Sequence, residues 1–520
     1  GKQSSLDCGF SSIPPVKEGM LTYHQCQPRS QQRPQMLNWS FTYIKTLYYV
    51  RYFKYMNKEM FEVPKRHPQF YEVAENYGFE QYLKPKGTLA GFELRFRRGD
   101  VEVKYDPSYF INILPFVLDK LYFVFKDRRS EPIMLNYSTA AGYPFQNTTK
   151  LIVADIFGVI NLTLCSNAQP LIRALTKEDE LLPKAKLLEK GPRIFYNVPL
   201  DQILKQKFYF GDQNKSLRID RSGHNIGSCI GWNRWYGGVD SLMVKHAQYK
   251  YHIFGDTLSQ DLRFPLQPLI YVLRERFNTL RVPTEVVNNI VEPLLLLPNG
   301  QVVQKKNINI SGSNNTTEDN TLGYFILISQ VFFEVFGRTF SREFNTCQIS
   351  IYGDDWLVST DYQELTCKKY WIAVWEAVGL QLKFWEAVSN LEAVEFLGCF
   401  PKLITKYGEQ FWVATPRMDK ILSSLAVARD DLTEEERCNR HFSLVALLAF
   451  TDVMPEVHRV FKELYPEMVY TISDFQDLHL PIERDLKLCN LVRKGYLRKR
   501  NLPPKVELLY GKGRDLKTIM

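Results

Sequence analysis

Asp354 and Asp355 stand side by side in the stretch CQISIYGDDWLVST, residues 347–360. Adjacent carboxylates repel unless a cation joins them, and rigidly held oxygen donors are what Mg²⁺ or Mn²⁺ asks of a protein. The flanking runs, Cys347 to Tyr352 and Asp355 to Thr360, are rich in β-branched and aromatic residues, with tight-turn chemistry at Gly353-Asp354 between them. The stretch predicts a β-hairpin with acids at its tip. An ordinary hairpin is the plain alternative, because Gly and Asp favour turns in any case.

Other polar groups recur at places where a fold can use them. Tyr249 to Phe254 predicts a short strand ending in Gly255-Asp256, with Asp261 five residues on and a helix over Pro268 to Phe277. A carboxylate leaving a strand end is well placed for a site, though acids there are often only surface. In SGSNNTTEDNT, residues 311–321, Ser311-Gly312 predicts a loop and Thr316 with Asp319 fits a capping box. Leu322, Phe325, Ile326, Ser329, Phe332, Phe333 and Phe336 then follow at helical spacing, an apolar inward face. Thr316 and Asn320 share a face at the first turns. A capped helix explains Thr316 and Asp319; it does not explain Asn320.

Two further segments have a loop or a charge run as their simplest account. In LNYSTAAGYPFQ, residues 135–146, Gly142 frees the backbone and Pro144 restricts Tyr143 to extended geometry. Residues 176–196 carry Lys177, Lys184, Lys186, Lys190 and Arg193 in what reads as one extended segment. Alternation would set several cations on one side of it, a channel for phosphates.

Length and composition fit these pieces. A chain of 520 residues exceeds a single compact core, and 45% hydrophobic with 14% aromatic residues excludes a disordered chain. No uncharged apolar run reaches the roughly 18 residues that span a bilayer. The nearest, Trp39 to Met60, is broken by Lys45, Arg51, Lys54 and Lys58 and predicts an amphipathic helix. The net charge of +9 suits a polyanionic partner. From Leu491 to Met520, nine Lys or Arg stand against Glu507 and Asp515, a net of +7. Nine scattered cysteines without a C-x-x-C pair predict a reducing compartment, with no disulfide framework or zinc site. No signal peptide is recognisable.

Taken in order, the pieces over residues 135 to 402 resemble the RNA-dependent RNA polymerases of positive-strand RNA viruses, in the picornavirus-like group that includes caliciviruses and astroviruses. STAAGYPF resembles that family's template-strand loop. KEDEL with Lys186 and Arg193 resembles its nucleotide-binding segment, Asp256 with Asp261 its D-x4-D motif, Ser311 to Thr321 its S-G-x3-T-x3-N-T motif, and YGDD its metal-binding hairpin. YGDD alone is a weak signal; five elements in the family's order are a strong one. The pattern between Arg193 and Gly238 is most similar to astrovirus polymerases.

The resemblance implies an α+β right-hand fold. Fingers would occupy 1–240 and 280–310, palm 241–279 and 311–402, and a mostly helical thumb with a basic tail 403–520. It implies a nucleotidyltransferase that copies RNA from nucleoside triphosphates with two Mg²⁺ or Mn²⁺ ions on Asp256, Asp354 and Asp355. Lys383 would be the general acid for the leaving pyrophosphate. Lys186 and Arg193 would hold the triphosphate, and Asp261, Ser311, Thr316 and Asn320 would line the nucleotide site and sense its ribose. Ser138, Thr139, Gly142, Tyr143 and Pro144 would meet template RNA. Partners would be template and product RNA, nucleoside triphosphates and other viral replication proteins, in membrane-associated complexes of the host cytoplasm.

The sequence departs from the family in three places. Gly255 precedes Asp256 where a bulky apolar residue is usual, Gln260 stands where an aromatic often precedes the second Asp, and Leu182 stands where picornaviruses often carry Arg. Two other readings compete. A reverse transcriptase shares an acidic hairpin, but the S-G-x3-T-x3-N-T motif and the GYP loop favour RNA synthesis. A catalytically inactive RNA-binding scaffold would lack a metal ligand, and all three Asp residues are present.

Overall fold

The computed structural model describes residues 57–99, 105–126, 135–143, 145, 149–164, 170–218, 226–258 and 262–481, with the backbone of Phe10–Ile13. The architecture is α+β. Four antiparallel strands form its centre in the order Gln348–Tyr352, Asp355–Thr360, Tyr251–Thr257 and Leu382–Val388. Side chains alternate across this sheet as strand geometry requires. Ile253, Ile349, Ile351, Trp356 and Val358 enter the largest core cluster, whereas Phe254 and Leu357 pack on the other face with Val239, Leu242 and Met243 of the Gly238–His246 helix.

The long helix Thr316–Phe336 covers the first face, and Leu322, Phe325, Ile326, Val331 and Phe332 bury there as the periodicity predicts. Among the described residues one helix, spanning Thr316–Asn345, is long and apolar enough to cross a membrane. Its most apolar window is 67% buried inside the protein, as befits a core helix.

A second sheet has five strands in the order Phe10–Ile13, Val302–Lys305, Leu294–Leu296, Leu171–Thr176 and Ile194–Asn197. Ile172, Ala174, Ile194, Tyr196, Leu295 and Val303 pack on one face with Phe92 and Phe96. Leu171, Leu294, Leu296 and Val302 pack on the other, with Tyr143. Residue 402 falls inside the hairpin Cys399–Lys406 and Glu409–Pro416, so the change to helix comes at Met418.

The helices Met418–Leu425, Glu434–Leu447, Met454–Leu464 and Ile472–Asp477 follow. The second of these opens on a capping box formed by Thr433 and Glu436. Phe70, Val73 and Ala74 of the Pro68–Tyr77 helix also enter this C-terminal cluster, beside Leu422, Leu425, Phe442 and Val457. The main chain ties the two ends together: His67 N donates to Ala426 O at 2.7 Å, and Ala428 N to Lys65 O at 2.8 Å.

Two local expectations are corrected. Lys184–Lys190 is a helix anchored by Leu187, so its cations spread around a cylinder and do not line a strand. Asp319 caps nothing; it is fully buried, and the N-cap of its helix is Asn315, whose side chain makes no capping bond. The stretch Trp39 to Met56, Asp261, Pro144 and the basic tail lie outside the described residues.

Candidate active site

The acidic hairpin closes through a two-residue turn, with Tyr352 paired to Asp355. Gly353 has φ 61, a sign that L side chains rarely adopt, and its N–H donates to Thr321 Oγ1 at 3.0 Å. The long helix thereby holds the tip. Asp354 is exposed, whereas Asp355 is half-buried. Burial, then the charges of Asp354, Asp256 and Glu395, push the Asp355 carboxyl up to about 7. Asp256 lies on the adjoining strand, which pairs with the hairpin at Leu357–Phe254.

The unusual Gly255 has a reason in space. A Cβ there would stand 2.6 Å from Phe384 O and 3.0 Å from Trp356 Cζ2. Trp356 is 1% exposed and stacks on Trp371 at 5.0 Å and 5°. The bulk usual before Asp256 is thus supplied by Trp356, the residue after Asp355.

Cations face these acids. Lys383 sits where the Leu382–Val388 strand shifts register against its neighbour, with Nζ 4.0 Å from Asp256 Oδ2. That distance gives attraction and no hydrogen bond. Lys186 is held below the usual lysine range by burial, then by Lys383 and Arg417, with Asp256 and Glu395 pulling the other way. Lys190 is lowered by burial, then by Lys383. Arg417 is locked by Glu395 through a bidentate pair at 2.6 and 2.8 Å. Arg193 pairs with Glu180 at 2.9 Å and is half-exposed.

The loop before the long helix is braced from within. Ser311 is exposed. The Thr316 hydroxyl donates to the carbonyls of Ile310 and Ser313, and Asn320 Oδ1 accepts from Asn309 Nδ2 at 2.7 Å. Beneath it, Asp319 accepts from Arg274 Nε at 2.9 Å and from Tyr271 OH at 2.7 Å, with both charged side chains 0% exposed. Arg274 reaches on to Asn214 Oδ1 at 2.9 Å. The first turn of the helix is therefore joined to helices Gln267–Arg276 and Leu200–Ser216.

In the Ser138–Tyr143 loop, Ser138 Oγ donates to Asn136 Oδ1 at 2.7 Å, and Lys150 Nζ donates to Thr139 Oγ1 and to Ala140 O. Ser138 and Thr139 are exposed. Gly142 has φ 81, and a Cβ there would meet Val198 O at 2.4 Å. Tyr143 is placed differently from the expectation of an RNA contact. It is 5% exposed, packed with Leu171 and Leu294, because the turn at Gly142 directs it into the core.

Asp256, Asp354 and Asp355 fit Mg²⁺ or Mn²⁺ by donor chemistry, and a cation would offset the burial, and then the neighbouring negative charges, that raise the Asp355 carboxyl. Among the described residues, no three His, Cys, Asp or Glu side chains stand ready as one metal cage. Mg²⁺ is commonly held by one or two carboxylates with substrate phosphates and water, so a complete protein cage is not required.

Sequence reasoning passed over Lys190, Glu395, Arg417 and Asn309 as site residues. Lys190 stood in the charge run and could have been taken from it. The other three gave no local signal, since their partners are distant in the chain or lie across a loop.

An antiparallel sheet that ends in acids, faces lysines and is backed by one long helix suits the joining of nucleotides. A family model for viral RNA-dependent RNA polymerase matches residues 130–441, more than half of the chain, and the chain belongs to that family. The chain is 24% identical over 288 residues to the non-structural polyprotein 1AB of Turkey astrovirus 2, which covers 50% of the chain and 17% of the polyprotein. It is 27% identical over 228 residues to the genome polyprotein of Triticum mosaic virus, covering 42% and 7%. With the genome polyprotein of Brome streak virus (strain German) the identity is 27% over 246 residues, covering 45% and 25%. The chain thus spans a quarter or less of these curated relatives. The expected kinship with picornavirus-like polymerases, astroviruses among them, is borne out.

Proposed function

We propose that this chain copies RNA, transferring ribonucleotides from nucleoside triphosphates to an RNA 3′-hydroxyl during replication of a viral genome. The observation that carries this reading is the juxtaposition of Asp256, Asp354 and Asp355 with Lys186, Lys190 and Lys383. Acids of the first set would hold two divalent ions, which supply activation of the hydroxyl and charge neutralisation of the pyrophosphate. Lys186, Lys190 and Arg193 would hold the triphosphate, and Arg193 must leave Glu180 to do so. Lys383 would give a proton to the departing pyrophosphate. Asp261 and Asn320 would read the ribose, while Ser311 shapes the site and Thr316 braces it. Ser138, Thr139 and Pro144 would touch template RNA, with Gly142 and Tyr143 fixing the loop.

In this reading the four-stranded sheet and long helix, within 241–279 and 311–402, are the palm. Residues 1–240 and 280–310 are fingers, apart from the Pro68–Tyr77 helix, which packs with the thumb. Residues 403–520 are the thumb with its basic tail. The polymerase would act in the host cytoplasm, in membrane-associated complexes with other viral replication proteins.

The test is nucleotide incorporation on a homopolymer RNA template, with and without a short primer, in Mg²⁺ and in Mn²⁺. Metal-dependent product complementary to the template is expected. Absence of incorporation under every condition by the folded chain would overturn the reading.

A further inference from the structure

Asn309 lies two residues before Ser311 and is 1% exposed. Its Nδ2 donates twice, to Thr316 O at 3.1 Å and to Asn320 Oδ1 at 2.7 Å. Its own Oδ1 is buried and has no hydrogen-bond partner. The direction of these bonds follows from chemistry. A backbone carbonyl can only accept, so the Thr316 carbonyl obliges Asn309 to turn its NH₂ toward it. The same NH₂ then meets the Asn320 amide, which must answer with its oxygen. One backbone carbonyl therefore sets the orientation of two amides in series, and the NH₂ of Asn320 is turned away from Asn309.

We propose that Asn309 is a positioning residue for sugar choice: it fixes the Asn320 amide so that its NH₂, the donor edge, is presented to the ribose 2′-hydroxyl of the incoming nucleotide. This rests on the reading above that Asn320 faces the ribose. An Asn320 amide turned over would present its oxygen to the sugar and would lose discrimination without losing the side chain. The unpaired Asn309 Oδ1 fits this role. A buried amide chosen only for packing would be replaced without loss by an apolar residue of the same shape, whereas one kept with an unmet acceptor is retained for its donor.

The test is primed single-nucleotide extension with CTP and dCTP. It compares the unaltered chain with Asn309→Leu, Asn309→Asp, Asn320→Ala and the Asn309→Leu/Asn320→Ala double variant, each first checked for folding by thermal melting. Leucine keeps the volume and removes the donor; aspartate keeps the shape and offers only acceptors, which repel both the Thr316 carbonyl and the Asn320 oxygen. Either Asn309 variant is expected to lower the ratio of kcat/KM for CTP over dCTP by about tenfold, the size of one lost hydrogen bond. The CTP efficiency should fall more than the dCTP efficiency, and the double variant should match Asn320→Ala alone. If Asn320→Ala lowers the ratio but both Asn309 variants reduce the two substrates equally, the positioning role is overturned and the ribose reading of Asn320 stands. If Asn320→Ala leaves the ratio unchanged, the ribose reading itself fails and takes this inference with it. Should Asn309→Asp fail to fold, Asn309→Leu decides alone.

Discussion

At the scale of single residues, the hairpin acids and their neighbours separate charge from shape. Asp354→Asn removes one charge from the exposed tip and keeps its size. RNA synthesis should be lost while the melting temperature and RNA affinity stay near those of the unaltered chain. Near-normal incorporation by the purified variant in saturating Mg²⁺ would remove Asp354 from the site. Gly255→Ala makes the opposite kind of change, since no charge moves but a methyl group is driven toward Phe384 O. Overpacking of this kind costs about 1–3 kcal/mol, and denaturant unfolding should show a loss in that range. A fully tolerated alanine would mean that the strand has room the geometry denies it. Asp354 was legible from its turn chemistry, which is local. Gly255 was not, because the side chain that forbids a larger residue there, Trp356, is remote in sequence.

Elements add constraints that no single stretch of chain declares. The four-stranded sheet and the Gly238–His246 helix share a buried polar seam: His246 contacts Ser359 Oγ and Ser350 Oγ at 2.7 Å each, and His252 contacts Ser359 Oγ at 2.6 Å. Burial holds His246 down to about 3 and His252 to about 4. A histidine depressed on folding binds its proton more readily when unfolded, so its contribution is complete above pH 6.5. That contribution is lost as the pH falls from 6.5 toward 3. At pH 5 the loss from His246 is on the order of 2 kcal/mol. Thermal melts between pH 7.5 and 5 should show a marked acid decline, and His246→Gln should flatten it; an equal decline in both would place the acid sensitivity elsewhere.

The Asp319–Arg274 pair is the second such constraint. Removing one partner leaves the other charge buried, so Arg274→Met should cost about 3–5 kcal/mol, read as a shift in the urea midpoint. A shift no larger than a surface substitution gives would show the network to be dispensable. Sequence reading took Asp319 for a cap because capping-box spacing is local, whereas its true partners sit on another helix. It took Lys184–Lys190 for an extended run because alternating charges mimic a strand while only Leu187 is buried. The long helix was read correctly, since a dense apolar pattern leaves little choice of period.

For the whole molecule, charge and connectivity matter most. The +7 carried by residues 491–520 suits phosphate contact, and deleting them should weaken RNA binding and flatten its dependence on salt. An unchanged slope in a folded deletion variant would mark the tail as a solvated surface. Connectivity has a different outcome, set by the Pro68–Tyr77 helix and its place among the last helices of the chain. Phe70, Val73 and Ala74 complete a core whose other members are Trp235, Tyr236 and residues between Ile421 and Leu478. That core therefore joins residues far apart in the chain, and its formation carries the entropic delay of distant contacts. During synthesis the early helix must wait for residues beyond Met418 to complete its core, which leaves a nascent chain stalled before Met418 exposed to aggregation. Folding of this polymerase should thus be timed by the closing of that core, later than assembly of the acidic hairpin, whose strands are neighbours in the sequence.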